Sequence, residues 1–169
     1  GSIGLDSEPG QGSTFWFRLP RAGQPAAAAE PPAAAQQPAG LPGPQTVLYI
    51  EDNPVNVALM EAMLNRLPDV RLVSASLPTE GLRLAQQLKP ALVLMDISMP
   101  GMDGFEVLAR LRADESTRSL RVVAVSANAL PADVEAARVA GFEAYLTKPL
   151  SLDSLLATVR QALSDAAAG

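Results

Sequence analysis

The chain has 169 residues, 48% of them hydrophobic, and a net charge of −5, with no cysteine and no histidine. That length and apolar content suffice for one full core, while disulfides, thiolate zinc sites, cysteine nucleophiles and imidazole chemistry are excluded. No apolar run approaches the roughly 20 residues that span a bilayer, the first residues lack a signal-peptide pattern, and no basic cluster is present to neutralise nucleic-acid phosphates. The expectation is a cytoplasmic protein with protein partners and no direct nucleic-acid or membrane contact from this segment.

In chain order, residues 1–20, GSIGLDSEPGQGSTFWFRLP, alternate, turn at Pro-Gly-x-Gly and alternate again, which predicts a hairpin. An isolated hairpin is marginal in water. This one therefore reads as the edge of a preceding domain. Residues 21–44 are almost wholly alanine, proline, glutamine and glycine, the composition of a flexible linker without a core. At ~3.1 Å per residue in polyproline geometry it would reach about 70 Å.

From residue 45 to residue 169 the pattern changes. TVLYI precedes VNVALMEAMLNRL; VRLVSAS precedes TEGLRLAQQL; ALVLMD precedes GFEVLARLRAD; RVVAVSA precedes ADVEAARVAG; EAYLTK precedes SLDSLLATVRQAL. Short β-branched runs alternating with amphipathic segments predict five βα units in a doubly wound α/β fold, a five-stranded parallel sheet with five helices and right-handed crossovers. The functional crevice of such sheets lies at the carboxyl ends of the strands.

Those ends carry Glu51, Asp52 and Asn53, then Asp96, Ser126, and Tyr145 to Lys148. Three clustered carboxylates repel, by about 4 kcal/mol per pair at ~4 Å and an effective dielectric near 20, so the cluster calls for a cation. With oxygen donors alone, magnesium is the natural choice. Taken singly, each residue has a plainer explanation: a helix cap for Glu51, Asp52 or Ser126, a turn for Asp96, a half-buried strand position for Tyr145. Lys148 stands out, because the chain has eleven arginines and only two lysines. A lysine is a compact point charge suited to one phosphate or carboxylate oxygen.

YIEDNPVN, LVLMDISMPGMDGFEVL, VVAVSANA and YLTKPL, in that order and spacing, resemble the receiver domain of two-component signalling. The resemblance covers Thr46 to Leu163, makes residues 45–169 the receiver domain, and implies the flavodoxin-like strand order 2-1-3-4-5. It implies Asp96 as phosphoacceptor; Glu51, Asp52, Asp96 and the backbone carbonyl of Ser98 as the magnesium site, with Glu51 acting through a water; and Ser126 and Lys148 as phosphate-binding groups. It also implies a switch made by Ser126 and Tyr145, and a cis bond before Pro149. Serine at 126 stands where threonine is commoner, and glutamate heads the acidic pair.

The SEPGQGSTFWFRLP stretch resembles the closing strands of a sensor kinase ATP-binding domain. Gly10, Gly12 and Thr14 would lie near nucleotide in an intact kinase, although a glycine turn in an orphan hairpin explains them more simply. The order of hairpin, tether and receiver resembles the C-terminal end of a hybrid histidine kinase, whose parent chain could itself be membrane-anchored. The expected donor is a phosphohistidine domain of the same or a partner kinase, because this chain has no histidine to serve. The expected next carrier is a histidine-phosphotransfer protein, and the fragment itself would lack kinase or other output activity. The first helix is apolar over a wide arc, which nominates Val55, Leu59, Met60 and Met63 as a docking patch. Competing readings are a receiver that serves interaction alone and a magnesium-dependent phosphohydrolase. The second conflicts with Ser98, where such enzymes place another acid.

Overall fold

In the computed structural model the described residues are 2–8, 12–18 and 45–166. The predicted tether over 21–44 and Gly10 of the predicted turn lie outside them. Strands β1 (Ser2–Glu8) and β2 (Gly12–Arg18) pair antiparallel, with Ser2 opposite Arg18 and Glu8 opposite Gly12, and form a unit of their own.

The second unit alternates β3 (Gln45–Ile50), α1 (Pro54–Leu64), β4 (Val70–Ala75), α2 (Pro78–Leu88), β5 (Leu92–Asp96), α3 (Gly104–Ala113), β6 (Val122–Ser126), α4 (Pro131–Ala140), β7 (Ala144–Thr147) and α5 (Leu152–Ala166). Its strands are all parallel, in the order β4-β3-β5-β6-β7, which is 2-1-3-4-5 within this unit. This is the flavodoxin-like arrangement. The central strands β5 and β6 are buried along their whole length, which is why they read as unbroken apolar runs.

The period-two alternation of the strands builds two cores. Val47, Tyr49, Leu92, Leu94, Val123 and Val125 face one side, where α1 and α5 contribute Met60, Leu64, Leu155 and Val159. Leu48, Ile50, Val93, Met95, Val122 and Ala124 face the other, against Ala85 of α2, Val107 and Leu111 of α3 and Ala137 of α4. Adjacent residues of one strand thus serve different layers.

Local chemistry sets the helix ends around the crevice. Asn53 caps α1, its side chain accepting from the Val55 amide at 2.9 Å, and Pro54 occupies the first turn, where its missing N–H costs nothing. Asp103 caps α3 by accepting from the Glu106 amide at 2.9 Å. The first helix is shorter than its apolar pattern predicts: α1 stops at Leu64, and the Arg66 and Leu67 amides bond back three residues to Met63 and Leu64. Pro68 disfavours helical geometry at Leu67, so that apolar residue packs from a tightened turn.

The α1 docking patch needs correction. Val55 is 71% and Leu59 46% exposed, but Met60 is wholly buried and Met63 is half-buried against the same core. A helix of 3.6 residues per turn places Met60 and Leu64 together on the sheet side, so the free apolar surface is limited to the stripe through Val55 and Leu59.

Candidate functional site

Four strand ends bring the polar residues together. Glu51 follows β3 directly, Asp96 closes β5, Ser126 closes β6, and Lys148 follows β7. Parallel pairing sets Met95 beside Ile50, Asp96 beside Val125 and Ser126 beside Thr147, so these ends form one rim. Glu51, Asp96 and Ser126 are buried, while Asp52 is exposed.

Lys148 joins two of the acids. Its Nζ donates to Glu51 Oε2 at 2.6 Å and to Asp96 Oδ2 at 2.7 Å. The cation that clustered carboxylates demand is therefore partly supplied by the chain itself. Burial alone would lower the Lys148 pKa, but its hydrogen bonds to Asp96 and Glu51 and their negative charges hold it above the ordinary lysine value. The Lys148–Pro149 peptide bond is cis.

Glu51 is held from several sides. Tyr49 Oη donates to Oε2 at 2.6 Å, Asn56 Nδ2 to Oε1 at 3.0 Å, and the Asn53 amide to Oε1 at 3.2 Å, in addition to Lys148. Burial opposes the charged form of Glu51, and the bonds from Lys148, Tyr49 and Asn56 outweigh it, leaving its pKa below the usual carboxylate range. The Tyr49 hydroxyl moves the other way, pushed far above its ordinary value by burial and by the hydrogen bond to Glu51.

Asp96 is anchored at both oxygens: the Ser98 amide donates to Oδ1 at 2.9 Å and Lys148 to Oδ2. Gly104 makes the turn behind it possible. A Cβ there would come within 2.9 Å of both the Asp96 carbonyl oxygen and Ile97 Cα, and the Gly104 amide donates to the Ile97 carbonyl at 2.9 Å. Glu51, Asp52 and Asp96 each offer an oxygen lying within 4.8 Å of the others. An all-oxygen donor set of this size, one member solvent-facing, fits a magnesium ion that keeps some of its waters.

Ser126 and Tyr145 meet through one residue. The Asn128 amide donates to Ser126 Oγ at 3.1 Å, and its carbonyl accepts from Tyr145 Oη at 2.8 Å. The half-buried Tyr145 ring packs on the α2–α3–α4 side of the sheet. Sequence reasoning had not singled out Tyr49, Asn56 or Asn128. Tyr49 was legible in principle, since an aromatic hydroxyl two residues before a strand-end acid lies on the same face as that acid.

The sequence profile of the response regulator receiver domain matches residues 47–160. The polar-differentiation response regulator DivK of Brucella anthropi is 35% identical over 123 residues, covering 73% of this chain and 99% of its own length. The receiver domain of the sensor histidine kinase PA1611 from Pseudomonas aeruginosa PAO1, solved with a magnesium ion coordinated in its active-site cleft, is similar with a TM-score of 0.65 and 33% identity. That likeness covers 73% of this chain and 99% of the solved one. A putative response regulator from Chloroflexus aurantiacus J-10-fl superposes with a TM-score of 0.67 at 26% identity, over 72% of this chain and 98% of its own. The five-stranded unit, its acid-lined rim and these likenesses agree, and the chain belongs to the response regulator receiver domain family.

Proposed function

We propose that this chain is a phosphoacceptor in a two-component phosphorelay, taking a phosphoryl group from a phosphohistidine onto Asp96. The observation that carries the reading is the buried Asp96 carboxylate at a central strand end, held by the Ser98 amide and Lys148 within reach of two further acids. In the transfer an Asp96 oxygen attacks phosphorus in line, the new P–O bond forms as the P–N bond breaks, and the imidazole leaves with the electron pair. Magnesium, held by Glu51, Asp52, Asp96 and the Ser98 carbonyl, would supply charge that offsets the phosphoryl oxygens. Lys148 adds a second positive charge from the end of β7 on the same rim. The Ser126 hydroxyl, which accepts from Asn128, retains its own proton for a phosphoryl oxygen.

The acyl phosphate carries roughly −2 charge where the Asp96 carboxylate carried −1, and this extra charge with its new acceptor oxygens makes Ser126 the first group to respond. Asn128 bonds both Ser126 and Tyr145, so a shift of Ser126 reaches the Tyr145 ring through the backbone of one residue. Tyr145 then turns inward and remodels the surface beside α4. Val55 and Leu59 form the dock for a histidine-phosphotransfer protein that takes the phosphoryl group onward.

The same reading assigns residues 1–20 to the end of a kinase ATP-binding domain, 21–44 to a tether and 45–169 to the receiver of a hybrid histidine kinase. The 33% identity to the receiver of a sensor histidine kinase supports it. Incubation of the protein with magnesium and acetyl phosphate, read by intact mass, should add one acid-labile phosphate. Asp96→Asn should gain none, and equal labelling of the two proteins would overturn the assignment.

A further inference from the structure

We infer that Tyr49 is a positioning residue, whose buried hydroxyl works with Asn56 to fix the Glu51 carboxylate so that one oxygen holds Lys148 against Asp96. This rests on the phosphoacceptor reading and names the part of the chain that prepares the site before any ion or phosphate arrives.

Three of the donors to Glu51 come from parts of the fold with little freedom. Tyr49 is wholly buried on β3, which is paired on both edges. Asn53 donates through its backbone at the capped start of α1, and Asn56 sits in the first turn of that helix. Lys148 alone among them reaches Glu51 by a flexible side chain, one-fifth of it exposed. A carboxylate accepts about four hydrogen bonds, so the Glu51 oxygens are close to saturated. An incoming cation or its water must displace a donor, and Lys148 is the one free to move. Tyr49 and Asn56 keep Glu51 in place while it does.

The pairing also depends on side-chain length. Glu51 follows β3 directly, two residues after Tyr49, and the longer acid at this position brings Oε2 to 2.6 Å from the phenol. An aspartate, one methylene shorter, would draw the carboxylate back from the hydroxyl.

The test uses the full chain and magnesium alone, with the dissociation constant measured by calorimetry. Tyr49→Phe preserves the buried ring and should weaken magnesium binding roughly fivefold, the scale of one typical net hydrogen bond. In the Glu51→Asp background the same substitution should change binding less than twofold, since the hydroxyl has lost its target. Asn56→Ala is a second way to loosen the clamp and should weaken binding in the same direction. Carbon-13 labelling of the two lysines gives a readout that needs no metal: Tyr49→Phe should move the Lys148 side-chain resonance and leave that of Lys89 in place. Wild-type affinity in Tyr49→Phe, an unmoved Lys148 resonance, or an undiminished fivefold loss in the Glu51→Asp background would each overturn the clamp. A wild-type protein that takes no phosphate from acetyl phosphate would overturn the phosphoacceptor reading instead, and the lysine resonances would still judge the clamp.

Discussion

Glu51 and Val55 stand four residues apart and reverse the usual rule: the acid is 1% exposed and the valine 71%. The difference is one of hydrogen-bond supply. Glu51 enters the interior because Tyr49, Asn53, Asn56 and Lys148 replace the water it gives up. Val55 stays outside because the sheet-facing side of α1 is already filled by Met60 and Leu64. Burial at this rim follows donors and packing geometry, and hydrophobicity alone ranks these two residues wrongly.

The comparison breaks most strongly where the shared donor is removed. Lys148→Met leaves two buried carboxylates without their common cation and should cost roughly 3 kcal/mol in urea unfolding under EDTA. A loss below ~1 kcal/mol would show that the acids find other relief. Next comes the turn behind Asp96: Gly104→Ala places a Cβ 2.9 Å from backbone atoms that cannot step aside, and should cost roughly 2 kcal/mol while slowing labelling by acetyl phosphate.

Acid titration sharpens the Glu51 side. Its folded pKa lies below the ordinary 4.5, so its stabilising contribution is complete above the unfolded pKa and is lost as pH falls through the folded value. Wild type should therefore lose stability more steeply than Glu51→Gln as pH drops through and below the ordinary carboxylate range, with the two curves converging. Parallel curves would mean that Glu51 does not titrate with folding. Lys148 behaves oppositely: its pKa is raised, so its contribution holds below 10.5 and fades as pH rises through the folded value.

The smallest stability effect belongs to Val55. Val55→Ser and Leu59→Gln, on exposed helix surface, should change unfolding free energy by less than about 0.5 kcal/mol. Transfer to a histidine-phosphotransfer protein, followed by radiolabel, should nonetheless fall severalfold. A stability loss of core size would place these side chains in the packing after all.

Most of the fold was legible because local pattern and topology agree. The runs ending in Ile50, Asp96, Ser126 and Thr147 are short, apolar and separated by helical periods, which leaves few arrangements beyond a parallel sheet with its polar ends on one rim. The caps at Asn53 and Asp103 rest on equally local contacts, although the cap weighed for the first helix was an acid one or two residues earlier, Glu51 or Asp52. The end of α1 was less so, since the apolar pattern runs on to Leu67 while Pro68 and a tightened turn stop the helix at Leu64.

The site divides in the same way. Sequence by itself determined which acids, which hydroxyl and which lysine stand at strand ends, because a strand delivers its last residues to one rim whatever surrounds them. Tertiary structure decided how they are satisfied: that Lys148 bridges Glu51 and Asp96 across 97 and 52 residues of chain, that Tyr49 turns a core position into a donor, and that Met60 faces inward. Hydrogen bonds act over about 3 Å and need a defined angle, so their partners are fixed by packing in three dimensions, beyond what any spacing along the chain encodes.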